Sequence, residues 1–307
     1  MSIPRDHHYL PQFYIDRWAR DGKVFRYVRP RGKDGPIDCK RKPPKAIAYQ
    51  RDLYHQPDIS DPIDSQSLEL RFFQQIDDRA AKALQKLEQR QHGTGEDRIA
   101  LAQFMISRLH RSPSRLNAMR AELAERTLGA PYENLEGEEF DSVLKSITNR
   151  LLAMLVESSD ATSMIAKFKI FNIDVSGSSK TLLTSDRPIM VSAQLIAHDA
   201  FMMLPFGPFR LVLLTHKEAI ARSFSSQNPD VLVAAVNQAV VEQSEDIVIA
   251  ADTGATRMIE RKFLRLNADQ SRDSIGLIRR KSPLIDLNPK TRTFSRHDKK
   301  GMKYLGL

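Results

Sequence analysis

The hydrophobic period of this chain changes partway along it, and that change limits the folds open to it. From Ser67 to Gln91 the apolar residues Leu68, Phe72, Ile76, Ala80, Ala83, Leu84 and Leu87 recur at helical spacing, and Gly93 and Gly95 end the run. The same spacing predicts a second helix from about Glu96 to His110, a third beginning at Pro113 and a fourth over roughly Glu138 to Glu157. The runs then shorten. KFKIFNIDV at 167–175, TLLTS at 181–185, PIMVS at 188–192, FMMLP at 201–205 and RLVLLT at 210–215 are apolar, strand-length and separated by turn residues. The pattern predicts an α+β fold, a largely antiparallel sheet packed against a layer of about four to five α-helices. PDVLVAAVNQAVVEQS at 229–244 returns to helical spacing, and DIVIAAD at 246–252 reads as its extension or as a strand.

Ahead of the helical section, PQFYIDRWAR at 11–20 reads as a short helix with Pro11 at its first position, where a missing N–H costs nothing. The loop expected before it holds Asp6, His7 and His8. VFRYV at 24–28 has strand character, and the Gly-, Pro- and Lys-rich stretch from Arg29 to Pro44 reads as a hairpin or an exposed loop. There is no internal repeat. Residues 1–270 are expected to form a single α+β domain, with a helical section at about 66–158 and a sheet section at about 166–216. Residues 271–307 are polar and basic and carry Pro283 and Pro289, the composition of a poorly ordered tail.

The 307 residues suffice for a sizeable core, and 41% hydrophobic with 28% charged residues is the balance of a folding chain. Cys39 is the only cysteine, which excludes an internal disulfide or a Cys-pair zinc site and fits a reducing, cytoplasmic setting. No stretch approaches the roughly 18 apolar residues of a membrane helix. The net charge of +9 is unevenly placed: residues 1–51 hold 13 Lys/Arg against 5 Asp/Glu, 257–303 hold 14 against 5, and the remainder is net acidic. Two basic ends suggest nucleic acid or another polyanion as partner; pairing with the chain's own acidic helices is the plainer reading.

Candidate chemistry sits far apart in the sequence. Imidazole suits proton transfer near neutral pH, so His7 and His8 are candidate acid/base groups, although neighbours in extended chain point to opposite sides. Asp186, in Thr184-Ser185-Asp186-Arg187-Pro188 between two strands, is a candidate base or metal ligand with Ser185 beside it; Ser and Asp before X-Pro are also ordinary turn formers. Glu69 and Asp77 lie eight apart on similar sides of the first long helix, with Asp78 the alternative. Arg108 and Arg111 share a face near the end of the second helix, where they suit a phosphate or carboxylate or simply complement the helix dipole. His110 is a weaker candidate, and Asn237, inside an apolar run, needs a hydrogen-bonding partner. No phosphate-loop, dinucleotide, zincin or nucleophile-elbow motif is present.

These residues carry a resemblance. HHYLPQFYIDRWA at the start, SLELRFFQQID in the long helix, the Arg111-Ser112-Pro113 junction, TSDRPIM and LPFGPFRLVLL are similar to motifs of the bacterial family called domain of unknown function 4238, over roughly residues 7–250. The resemblance implies that His7, His8, Tyr9, Pro11, Gln12, Glu69, Arg111, Ser185, Asp186, Pro188 and Asn237 match family positions, and it supplies no activity. Asp77 or Asp78 stands where a glutamate is more usual, and Phe206-Gly207 replaces a more typical Leu-Ser before Pro208.

Three readings follow. The first is a hydrolase acting on a nucleic-acid or other phosphorylated substrate, with His7, His8, Glu69 and Asp186 catalytic and Gln12, Arg111, Ser185 and Asn237 holding the substrate, a divalent metal being the cofactor this chemistry would use. The second is a nucleic-acid-binding or protein-interaction module in which the same motifs are structural. The third pairs His7 with Asp186 in a buried hydrogen bond that pins the N-terminal segment to the sheet.

Overall fold

A computed structural model describes residues 5–264, apart from His92, residues 128–136, Ala193, Gln194 and Ile196. The basic tail expected at 271–307 lies outside them. The chain opens with strand β1 (Asp6–His8), where the sequence suggests a loop; three residues are too few to show an alternating pattern. Helix α1 (Gln12–Ile15) has Pro11 as its N-cap and tightens into a 3-10 turn at Asp16–Trp18. Strands β2 (Val24–Val28) and β3 (Asp38–Lys42) form the hairpin that was one of two readings, and β4 (Tyr49–Arg51) pairs back onto β1.

A π-helical turn at Leu68–Phe73 leads into α2 (Gln74–Glu88), followed by α3 (Gly95–His110), α4 (Pro113–Thr127), α5 (Gly137–Glu157) and the short α6 (Ser159–Ala166). Thr94 and Asp97 start α3 with a reciprocal capping box, which is why the helix begins there. Next come β5 (Lys169–Asp174), β6 (Thr184–Ser185), β7 (Met190–Val191), β8 (Phe201–Gly207) and β9 (Arg210–Thr215). Helices α7 (Glu218–Ser225) and α8 (Pro229–Gln243), strand β10 (Val248–Ala250) and helix α9 (Thr256–Lys262) complete the described order.

The fold is α+β, and every strand pair among the described residues is antiparallel. The strands divide among three sheets: β1-β4, β3-β2-β10-β6 and β5-β9-β8-β7. The inner strands β10, β8 and β9 bury side chains on both faces, whereas the edge strand β3 is largely exposed. Val24, Ile249, Met202, Leu204 and Val212 join one apolar cluster with Phe73, Phe104, Leu152 and Ile165 of the helical section. Tyr27, Val248, Met203 and Leu213 join a second with Phe224 of α7, Val236 and Val240 of α8 and Ile259 of α9. The predicted helical layer therefore covers one side, and a second layer, α7 to α9, covers the other. Helices α7 and α9 span two turns each, too short for periodicity to reveal them.

Candidate functional site

The motifs meet at the C-terminal end of α3. Leu101, Met105 and Arg108 follow one another at four- and three-residue steps, so Arg108 is carried on the packed face of the helix, and Arg111 caps its end. Both guanidiniums are buried, at 2% and 1% exposure.

Arg111 is saturated by the chain's own groups. Nη1 donates to both oxygens of Asp77 (3.0 and 2.8 Å), Nη2 to the His8 carbonyl (2.8 Å) and to Glu69 (3.5 Å), and Nε to the Tyr54 hydroxyl (3.2 Å). Those contacts engage all three guanidinium nitrogens. The Phe73 ring covers the cation at 4.2 Å, and the Tyr54 hydroxyl donates to the Arg111 carbonyl at 2.9 Å. Glu69 sits on the π-helical turn and Asp77 on α2. The wider turn reduces the rotation per residue, which brings two carboxylates eight residues apart onto one guanidinium. Burial pushes both carboxyls upward and Arg111 opposes it; on Arg111, Asp77 leads the groups that outweigh burial and hold it charged.

This pair clamps β1. The His8 N–H donates to Glu69 (3.3 Å) while the His8 carbonyl accepts from Arg111, so one residue's backbone is held from both sides. His7 and His8 point opposite ways, as extended chain requires. His7 is fully buried, stacked on Tyr54, with Nδ1 accepting the Tyr54 N–H at 2.9 Å. His8 is half-buried. Its Nε2 lies 3.3 Å from the Lys45 carbonyl and 3.4 Å from the Gln12 amide, so it donates to the first when protonated there and accepts from the second when not. Burial lowers its pKa, which keeps the ring neutral at physiological pH.

Arg108 links this clamp to the inter-strand turn by donating to the carbonyls of Tyr9 and, at 3.2 Å, Asp186. Among the described residues it makes no ion pair and its Nε has no acceptor, and burial, reinforced by Arg111, lowers its pKa to about 10. Asp186 is fully buried. Its carboxylate accepts from the backbone N–H of Glu245 (3.1 Å) and Ile247 (3.1 Å), and its own N–H donates to the Ile247 carbonyl at 3.2 Å. Asp186 thus ties β6 to the start of β10. Burial, with the Asp246 carboxylate adding to it, pushes Asp186 up to about 7. These bonds leave the expected His7–Asp186 pair unmade, because the aspartate is taken up by backbone.

The structure therefore gathers His7, His8, Gln12, Glu69 and Arg111, and reaches Asp186 through Arg108. Ser185 and Asn237 face the α8 side of the sheet. The Ser185 hydroxyl accepts the Arg187 N–H (3.1 Å), and Asn237 accepts the Leu183 N–H and donates to the Thr181 carbonyl, each at 2.8 Å. That gives Asn237 the partner its apolar setting demands. Tyr54 and Phe73 complete the site and carry no sequence signal beyond their size; Arg108, a candidate anion binder beside Arg111 in the sequence, instead donates to the chain's own carbonyls. Among the described residues no group of three His, Cys, Asp or Glu side chains is placed to hold a metal ion, and no helix is long and apolar enough to cross a membrane.

A family model described as protein of unknown function (DUF4238) matches residues 6–254, and the chain belongs to that family. Neither the curated proteins nor the solved structures contain a match.

Proposed function

We propose that the chain is a binding module for nucleic acid, and that the clamp around Arg111 is structural. The observation that supports this reading is the edge strand β3, which ends its sheet and presents Lys40 and Arg41 to solvent beside the half-buried Lys42. Around it Lys23, Arg31 and Lys45 are exposed and make no ion pair among the described residues, whereas Arg26 and Lys40 share Asp38 and Arg41 meets Asp21. Lysine on an edge strand also deters pairing with another sheet, so position alone does not distinguish the two uses. Binding does. Affinity for DNA or RNA should fall steeply with salt, and reversing Arg31, Lys40 and Lys42 to glutamate should lower it at least about tenfold and flatten the salt slope by about one for each phosphate no longer neutralised. Deleting 271–307 measures the share of the second basic end. No binding at low salt, or unchanged binding in the reversed variant, would remove the proposal.

A hydrolase reading keeps one observation in its favour: His8 is neutral, half-exposed and beside both Gln12 and Glu69. It makes His8 the general base, with Glu69 orienting its backbone. Phosphoester or nucleic-acid turnover with a divalent metal, lost in His8→Ala while the melting temperature holds, is the outcome that would favour it.

A further inference from the structure

Arg98 and Ile99 stand on the same helix as the clamp but near its other end, about 15 Å from Arg108 at the helical rise. There α3 and α6 enclose an open groove of about 710 Å³. Arg98 and Lys167 line it, both exposed, and neither side chain has a hydrogen bond or ion pair among the described residues. Ser159 and Ser163 contribute hydroxyls one turn apart along α6, and Ser159 opens the helix, where backbone N–H groups lack intrahelical partners. Ile99 is 46% exposed, and with Ala166 and the methylene stems of Arg98 and Lys167 it gives the groove an apolar strip. Glu157 on the rim is the only carboxylate among the lining residues, so the groove carries two cations against one anion.

We infer that this groove binds an elongated organic anion, its oxyanion head group taken by Arg98, Lys167 and the Ser163 hydroxyl, its short alkyl body lying on Ile99 and Ala166. The volume falls in the range of small-molecule sites, and the groove follows α6 for about 12 Å from Ser159 to Lys167. One phosphate ion would use the cations and leave the apolar strip bare. An apolar molecule would strand the cations. The inference stands apart from the nucleic-acid reading, since none of these residues lies on the β2–β3 hairpin.

Titration calorimetry of the full chain at constant ionic strength tests it with hexyl phosphate, hexanoate and inorganic phosphate. Hexyl phosphate should bind at least about tenfold tighter than inorganic phosphate, and Arg98→Ala with Lys167→Ala should weaken its binding about tenfold or more for each cation removed. Ile99→Ser should erase the alkyl advantage and leave inorganic phosphate unaffected, and Glu157→Gln should tighten binding. Comparable affinity for hexanoate would identify a carboxylate ligand, and a clear preference for hexyl phosphate a phosphate ester. Reversing the hairpin cations should change none of this. No saturation by either hexyl probe, or undiminished affinity in the double alanine variant, would overturn the inference; circular dichroism melts confirm that each variant is folded.

Discussion

Arginine does opposite things at the α3 clamp and on the β2–β3 hairpin, and the difference lies in solvent. At the clamp Arg111 is out of water, and two carboxylates, a carbonyl, a phenol and an aromatic face replace its hydration. On the hairpin Arg41 lies over the Phe25 ring and donates to the Arg20 carbonyl and Asp21, yet keeps 40% of its side chain exposed. A buried guanidinium is committed to its partners. An exposed one remains exchangeable, because water already compensates it and surface pairs contribute little.

The largest effect is expected from Arg111→Met. Removing the cation leaves Glu69 and Asp77 buried without compensation, and urea denaturation should show a loss of about 3–5 kcal/mol, partly restored by adding Glu69→Gln and Asp77→Asn. A loss below about 1 kcal/mol would mean that the clamp holds little.

Asp186 should give the next effect. Its carboxyl rises from an ordinary 3.8 to about 7 in the folded chain, so the folded state holds the proton more tightly. The stability it adds is complete below about pH 4, declines as pH rises, and is gone above about 7, with a ceiling of roughly 4 kcal/mol for three pH units. The difference in unfolding free energy between wild type and Asp186→Asn should therefore fall across that window. A flat difference would show that the amides of Glu245 and Ile247 hold the ionised form instead.

Arg108→Met should cost less than Arg111→Met, about 1–3 kcal/mol, because it frees two carbonyls and strands no carboxylate. Equal losses would erase the distinction between the two buried arginines. The hairpin reversal should move stability by no more than about 0.5 kcal/mol, against its larger effect on nucleic-acid affinity.

Long periodic elements were legible in the sequence. Helix α3 falls within a residue of the start expected from its apolar spacing, and the structure adds the Thr94–Asp97 capping box that fixes it there. The π-helical turn was not, since Leu68, Phe72 and Ile76 keep helical spacing whichever hydrogen bonds close the turn. Strand β1 was missed because its partner, Tyr49–Arg51, lies more than forty residues away and neither segment alternates. In the site, the opposed directions of His7 and His8 followed from strand geometry. What pattern could not supply was that the acceptors of Arg111 belong to the chain itself. Glu69 and Asp77 are about 80° apart on an ideal helix, and only the π turn brings both to one cation.

Strand β10 places residues 248–250 against 25–27, between β2 and β6. A ribosome adding 5 to 20 residues per second needs roughly 10 to 45 s to pass from one partner to the other. Throughout that interval the β2 edge that β10 later covers has no strand of its own sheet beside it, and an open edge is the kind of surface on which another chain can pair.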